Sequence, residues 1–302
     1  MSGFDSGYMG NSHLKRVGAQ IEYTAEMIQE YMKCAEDPIY FARKYIKIVH
    51  VDHGLVPFDM YPYQEEITNK IFANRRVAVL TARQSGKTTT AVAVILHYIL
   101  FNAHKTAAIL ANKGDSAREV LSRIKLAYEA LPKWMQQGIL EWNKGSIELE
   151  NGCKIYAGAT TSSSIRGKSI SFLYLDEVAF IEGYDEFFQS TYPTISSGNE
   201  TKLMMTSTPN GLNHFWKTCK GAENKELDPE NWNGFEFVKV MWYDVPGRDE
   251  KWKQETLQAL DFDEQKFLQE YCCVVGSTMI TVRDKESGEI HTLPIAEFAS
   301  FV

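Results

Sequence analysis

The sequence predicts an α/β fold: a mostly parallel sheet, a small helical lobe ahead of it and a β-hairpin at its C-terminal end. Three observations carry the prediction. Apolar runs of strand length alternate with stripes of helical spacing along most of the chain. One such run, Val77–Leu80, passes through a polar turn into Gly86-Lys87-Thr88 and a second apolar stretch. Another, Phe172–Leu175, ends in two adjacent carboxylates, Asp176 and Glu177.

Strand, loop, Gly-Lys-Thr and helix form the layout of a phosphate-binding P-loop. Backbone N–H groups of such a loop, and of the helix it opens, point at an anion. Gly86 lets the backbone approach. Lys87 is expected to reach the β/γ-phosphates, and the Thr88 hydroxyl to hold Mg2+. Gln84, Ser85 and Thr89 complete the expected cradle. The motif G-x-x-x-x-G-K-[ST] asks for glycine where this chain has Thr81. Arg83 stands inside the loop, a second cation for the γ-phosphate. Gly-Lys-Thr alone also fits a plain helix start with a surface lysine. The acidic strand end downstream favours the phosphate reading.

Carboxylates at the carboxyl end of a parallel strand stand where open α/β sheets bind ligands. Asp176 is expected to hold Mg2+ through its water shell, and Glu177 to polarise the attacking water. One acid serves the metal and the other accepts the proton. A third strand, Lys202–Met205, runs into Thr206-Ser207-Thr208. These hydroxyls are candidates for sensing the γ-phosphate. Pro209-Asn210-Gly211 beside them equally reads as a plain turn.

The rest of the chain bounds the setting. It has 302 residues, 44% hydrophobic and 24% charged, with a net charge of −7. No global basic surface advertises nucleic acid, so any such contact must be local. Five cysteines are scattered without a CxxC pair, and reduced thiols are the default. No apolar run reaches about 18 residues and the N-terminus lacks a signal-peptide core, so no membrane partner is expected.

Residues 1–18 read as a loose arm and 19–54 as a helical lobe, with helices over Thr24–Ala35 and Ile39–Ile48. Phe58, Tyr61 and Tyr63 precede Gln64. A glutamine there can read an adenine edge by donor and acceptor together, or be an ordinary helix-surface residue. Residues 55–235 form the expected core. Within it, Thr106–Ala111 is a buried strand, and Ser116 with Glu119 fits a capping box. Asn151-Gly152 turns a hairpin over Ser146–Ala157. Arg166 sits in a polar loop, where it can reach a neighbouring subunit's phosphate or a DNA backbone, or be an ordinary surface cation. Residues 236–271 are expected to pack back on the core. They hold a strand at Phe235–Val240, a turn with Arg248 as a candidate phosphate contact, and a last helix capped by Asp261 and Glu264.

Six stretches then occur in order: YQEEI (63–67), ARQSGKTT (82–89), WNKGSIELENG (142–152), LYLDEVAFI (173–181), TSTPNGLNHFW (206–216) and FLQEY (267–271). Together they resemble the ATPase domain of the large terminase of T4-like tailed phages. The loop with Arg83 and no first glycine is similar to this family's variant. The resemblance implies a P-loop NTPase of the additional-strand type that takes ATP and Mg2+. It implies an adenine contact at Gln64, phosphate contacts at Arg83, Lys87 and Thr88, catalysis by Asp176 and Glu177, and a coupling motif at Thr206, Ser207 and Thr208. It further implies a ring of copies at the capsid portal, working with portal protein and a small terminase subunit in the host cytoplasm to drive double-stranded DNA into a preformed capsid. The family also carries a nuclease domain of RNase H-like fold. No spaced carboxylate triad comes after residue 271, so DNA cleavage is not expected of this chain. Two rival readings are a helicase-like ATPase and a nucleotide-binding structural subunit without turnover. Glu177 speaks against the second.

Cys272-Cys273 and the residues after them resemble the start of an intein. Gly276, Thr278 and Ile280 stand in matching places when the count begins at Cys273. Pro294–Phe298 resembles the segment that comes next in such domains. The resemblance implies a splicing nucleophile at Cys273, with the adjacent Cys272 as the alternative, an N-terminal intein fragment over 273–302, and a partner fragment bringing the nuclease half. The chain is then one half of a split intein or a truncated product. The competing reading is a hairpin that opens the next domain.

Overall fold

A computed structural model describes residues 7–50, 52–161, 164–165, 167–196, 198–271, 279–283 and 290–294. In chain order it begins with helices α1 (Ala25–Glu36) and α2 (Pro38–Tyr45), strands β1 (Lys47–His50) and β2 (Gly54–Pro57), and α3 (Pro62–Ala73). Then come β3 (Arg76–Thr81), α4 (Lys87–Leu100), β4 (Thr106–Ala111) and α5 (Gly114–Glu129). Strands β5 (Ile139–Trp142), β6 (Ser146–Leu149), β7 (Lys154–Ala159) and β8 (Phe172–Asp176) are next. The chain continues with α6 (Tyr184–Ser196), β9 (Lys202–Ser207), α7 (His214–Leu227) and β10 (Glu236–Val240). It finishes with α8 (Glu250–Ala259), α9 (Glu264–Tyr271), β11 (Met279–Arg283) and β12 (Ile290–Pro294). The elements fall into two compact units, one of Met1–Arg75, Gly86–Asp176 and Ile181–Met204, the other of Arg76–Ser85, Glu177–Phe180 and Met205–Val302.

In the first unit β4 is central. It pairs in parallel with β8, Ala107 opposite Phe172 through Ala111 opposite Asp176. On its other side it pairs in parallel with β7. Strand β7 pairs antiparallel with β6, and β6 antiparallel with β5. The expected hairpin turn is present: Gly152 has φ 77°, and the Asn151 amide donates to the carbonyls of Ile99 in the last turn of α4 and of Asn102 beyond it. Helix α4 is buried along Thr90–Leu100, apolar on every face, as a helix packed on all sides must be.

The N-terminal helices are set by their caps. Thr24 accepts from the Met27 N–H, and Asp37 accepts from Ile39 and Tyr40 with Pro38 at the first helical position. Helix α2 stops at Tyr45 rather than running on to Ile48. The β-branched Ile48 and Val49 enter a hairpin with β2 instead, which starts at Gly54 with φ 66°. The stretch read as a loose arm is partly docked. Leu14 is buried, the Lys15 N–H donates to Gln136, Gln136 donates back to the His13 carbonyl, and Arg16 bridges Ile139 at the sheet edge. Helix α5 starts at Gly114 with Lys113 at its cap, so Ser116 lies inside the first turn and the expected capping box does not form.

In the second unit β3 and β10 pair in parallel from Val77 opposite Glu236 to Thr81 opposite Val240. Helix α7 buries Phe215, Cys219 and Ala222, and Asn213 caps it by accepting from the N–H groups of Phe215 and Trp216. Ala82, Trp242, Leu257 and Phe267 form a small core with Trp252 and Tyr271 packed against it. Asp263, not Asp261, receives the Lys266 N–H at the start of α9; Asp261 has φ 54° in the turn before it. Strands β11 and β12 form an antiparallel hairpin.

Helices α6 and α7 are not expected from the sequence, and α3 enters it only through the reading of Gln64 as a helix-surface residue. Pro193 inside α6 reads locally as a break, which burial of Tyr184, Phe187 and Ile195 overrides.

Candidate nucleotide site

The loop expected to cradle phosphate leaves β3 in the second unit and enters α4 in the first. Gln84 has φ 56° and Gly86 φ 79°. A Cβ on Gly86 would stand 2.5 Å from the Gln64 Nε2, so the end of that side chain would have to shift, and the left-handed φ itself favours glycine. No side chain caps α4, whose first N–H groups therefore face the loop, the arrangement that receives an anion. Lys87, Thr88 and Thr89 are half-buried at its first turn and Ser85 is buried.

Gln64 is no surface residue. It is 2% exposed, its Oε1 accepts the Tyr61 N–H at the start of α3, and its Nε2 lies against Gly86. Arg83 turns toward α9: its Nε meets the Glu270 carboxylate at 2.6 Å and its main-chain N–H donates to the Glu270 carbonyl. Arg248, a phosphate candidate from the sequence, instead donates to the loop carbonyls of Arg83 and Gln84 at 3.0 and 3.1 Å and lies over the Trp252 ring. It holds the loop through its backbone.

Asp176 is the last residue of β8 and is buried. Glu177 comes next in a left-handed conformation, φ 52°, and a short 3-10 turn covers Val178–Phe180. Ser207 stands beside this turn. Its Oγ accepts the Ala179 N–H at 3.1 Å and donates to the Glu177 carboxylate at 3.4 Å. Asn210 and Asn213 donate to the Ala179 carbonyl, and His214 Nε2 donates to the Val178 carbonyl at 2.6 Å. Thr206, Ser207 and Thr208 are all buried. The structure thus brings Ser207 to Glu177. It adds Asn210, Asn213 and His214, which the sequence reading did not single out. Their only local signal was the polar residues inside TSTPNGLNHFW.

For Mg2+ the expected donors, the Thr88 hydroxyl and the Asp176 carboxylate, both lie in the first unit. Oxygen donors of this kind suit Mg2+, which keeps several waters and shares itself with substrate phosphate. Among the described residues no group of three or more His, Cys, Asp or Glu gathers as a protein-only cage. Cys273 and Arg166 lie outside the described residues.

A family model described as terminase large subunit, T4likevirus-type, N-terminal, matches residues 78–293. Among solved structures, the large terminase ATPase domain of Thermus phage P74-26 is similar over 71% of this chain and 93% of that one, at 22% identity and a TM-score of 0.59. The large terminase of bacteriophage HK97 is similar over 82% of this chain and 56% of that one, at 19% identity and a TM-score of 0.65. The large terminase of a thermophilic bacteriophage, in complex with ATP-γ-S, is similar over 73% of this chain and 54% of that one, at 12% identity and a TM-score of 0.53. The chain thus spans little more than half of these two longer terminases. At these identities the likeness is one of fold, an α/β arrangement with a mostly parallel central sheet. Since the family match covers well over half of its residues, the chain belongs to the T4likevirus-type terminase large subunits, matched over their N-terminal domain.

Proposed function

We propose that this chain is the ATP-hydrolysing motor domain of phage DNA packaging, coupling turnover to movement of double-stranded DNA into the capsid. The observation that carries the reading is the placing of Glu177. It comes directly after the buried Asp176 at the end of β8, in a turn hydrogen-bonded to Ser207 of the hydroxyl segment. ATP is bound through the loop N–H groups, Lys87 and the uncapped start of α4, with Gln64 beside the loop for the adenine. Glu177 accepts a proton from water as its oxygen attacks the γ-phosphorus and the bond to the bridging oxygen of ADP breaks. Arg83 offers its charge to the γ-phosphate on leaving Glu270. Mg2+, held by Thr88 and Asp176, would supply charge neutralisation at the β- and γ-oxygens. Thr206, Ser207 and Thr208 report the state of the phosphate to α7.

The motor acts as a ring of copies on the capsid portal, with portal protein and a small terminase subunit as partners, in the host cytoplasm. Measured turnover separates it from a nucleotide-binding structural subunit. Displacement of a triplex strand, without unwinding of the duplex, separates it from a helicase. Capture by capsid portal tests the partner. An inert chain, or one that only unwinds duplex, ends the reading.

We further propose that residues 273–302 begin an intein with Cys273 as its nucleophile. Its support is the spacing of Gly276, Thr278 and Ile280 and the antiparallel pairing of β11 with β12. The Cys273 thiolate attacks the Cys272 carbonyl carbon, the peptide C–N bond breaks, and the amine leaves protonated as the thioester forms. The family match runs through residue 293 and favours the competing reading, a hairpin native to the terminase chain. Mixing with a C-terminal intein fragment should release residues 273–302, and Cys273→Ala should stop that. No release from the unaltered chain sinks the splicing reading.

A further inference from the structure

We infer that Asn213 and His214 are positioning residues for Glu177, setting the aim of its carboxylate from the start of α7. The inference rests on Glu177 acting as the general base.

Glu177 has a Cβ and yet holds φ 52°, a conformation that persists only where the surroundings impose it. The residues after it are buried: Val178 is 0% and Ala179 3% exposed. Their backbone polar groups cannot turn to water, so each must find a protein partner. The partners are side chains. His214 Nε2 donates to the Val178 carbonyl at 2.6 Å, which fixes its proton on Nε2. Asn213 Nδ2 donates to the Ala179 carbonyl at 2.7 Å, and Ser207 Oγ receives the Ala179 N–H. The other end of the Asn213 amide caps α7 by accepting from Phe215 and Trp216. One side chain therefore ties the first turn of α7 to the turn that carries the base. With His214 beside it, both carbonyls after Glu177 are held from the start of α7, and Asn210 adds a second donor to that of Ala179. A shift of that helix start re-aims the carboxylate, so hydrolysis answers to the position of α7.

Two substitutions isolate the contacts. His214→Phe keeps a ring and removes the donor. Asn213→Asp keeps the helix cap and replaces the donor with an acceptor against the Ala179 carbonyl. A third, His214→Gln, restores an amide nitrogen at the reach of Nε2. His214→Phe and Asn213→Asp should each lower kcat by ~10²-fold, the scale of a misplaced reacting group. KM for ATP and affinity for a non-hydrolysable ATP analogue should stay unchanged, and His214→Gln should keep most of the rate. In a Glu177→Gln background, where the base is already gone, His214→Phe should cost nothing further in single-turnover rate. The same loss in both backgrounds, lost analogue affinity, or full turnover in both single variants would overturn the inference. If His214→Phe does not fold, Asn213→Asp carries the same comparison. Full turnover by Glu177→Gln itself would instead sink the base assignment, a distinguishable failure.

Discussion

Arg83 and Glu270 are joined twice: guanidinium to carboxylate at 2.6 Å, and main-chain N–H to main-chain carbonyl at 2.9 Å. The loop's own cation is thereby tied to α9 near the end of the second unit. Its side chain is 56% exposed, so water screens the pair. Glu270→Gln should leave stability nearly unchanged. It should release Arg83 for the γ-phosphate and tighten ATP binding by no more than about fivefold, since exposed pairs are worth about 0–1 kcal/mol. ADP binding should not change. Calorimetric titration with both nucleotides checks this, and weaker ATP binding would show that Glu270 presents Arg83 rather than restraining it.

The proposed roles at the site predict three different losses. Lys87→Ala should lose nucleotide binding and turnover together. Glu177→Gln should keep ATP bound and lose about 10²–10⁴-fold in rate, the usual contribution of a general base. Thr208→Ala should keep binding and hydrolysis while DNA movement stops. Steady-state ATPase assays alongside triplex displacement separate the three. Equal loss of binding and hydrolysis in Thr208→Ala would count against a coupling role.

Gly86→Ala should destabilise the chain for two separable reasons. The left-handed φ of 79° costs a residue with a Cβ about 1–2 kcal/mol. The added methyl also meets the Gln64 Nε2 at 2.5 Å. Adding Gln64→Ala should recover the contact cost but not the conformational one. Urea unfolding of the two single variants and the double variant reads the difference; strictly additive losses would mean Gln64 does not press on Gly86.

His97 makes acid stability fall early. It is buried in α4 between the rings of Phe41, Phe72 and Phe101, its Nε2 bonds the Cys34 carbonyl, and its Nδ1 has no partner among the described residues. Burial pushes its pKa down to about 4 from an ordinary 6.5. The unfolded chain therefore takes up a proton near pH 6.5 that the folded chain refuses until about pH 4. The contribution is fully present above pH 6.5 and is lost as pH falls through that window, in all about 3 kcal/mol. His97→Phe should flatten the dependence of unfolding free energy between pH 7 and pH 5. An unchanged slope would mean that other groups carry it.

The strand, turn and helix around Gly86-Lys87-Thr88, the acidic end of β8 and the Asn151-Gly152 hairpin were legible in the chain because each is a local pattern. Apolar run, turn chemistry and a few adjacent residues dictate the backbone there, whatever lies elsewhere. Even the departure at Thr81 could be read in place. What the sequence by itself did not determine are the contacts that join distant segments. Arg248 looked like a phosphate ligand until tertiary structure put its guanidinium on the carbonyls of Arg83 and Gln84. Gln64 passed for either a surface residue or a base reader until its burial against Gly86 appeared. Asn213 and His214 carried no local signal beyond being polar residues inside TSTPNGLNHFW, because their meaning is the pair of buried carbonyls at Val178 and Ala179 that they satisfy. Leu14 and Lys15 read as loose chain, since neither their short polar surroundings nor their spacing foretells the Gln136 amide that holds them. Such partners are chosen by which backbone groups burial strips of water, and burial exists only once the chain has folded.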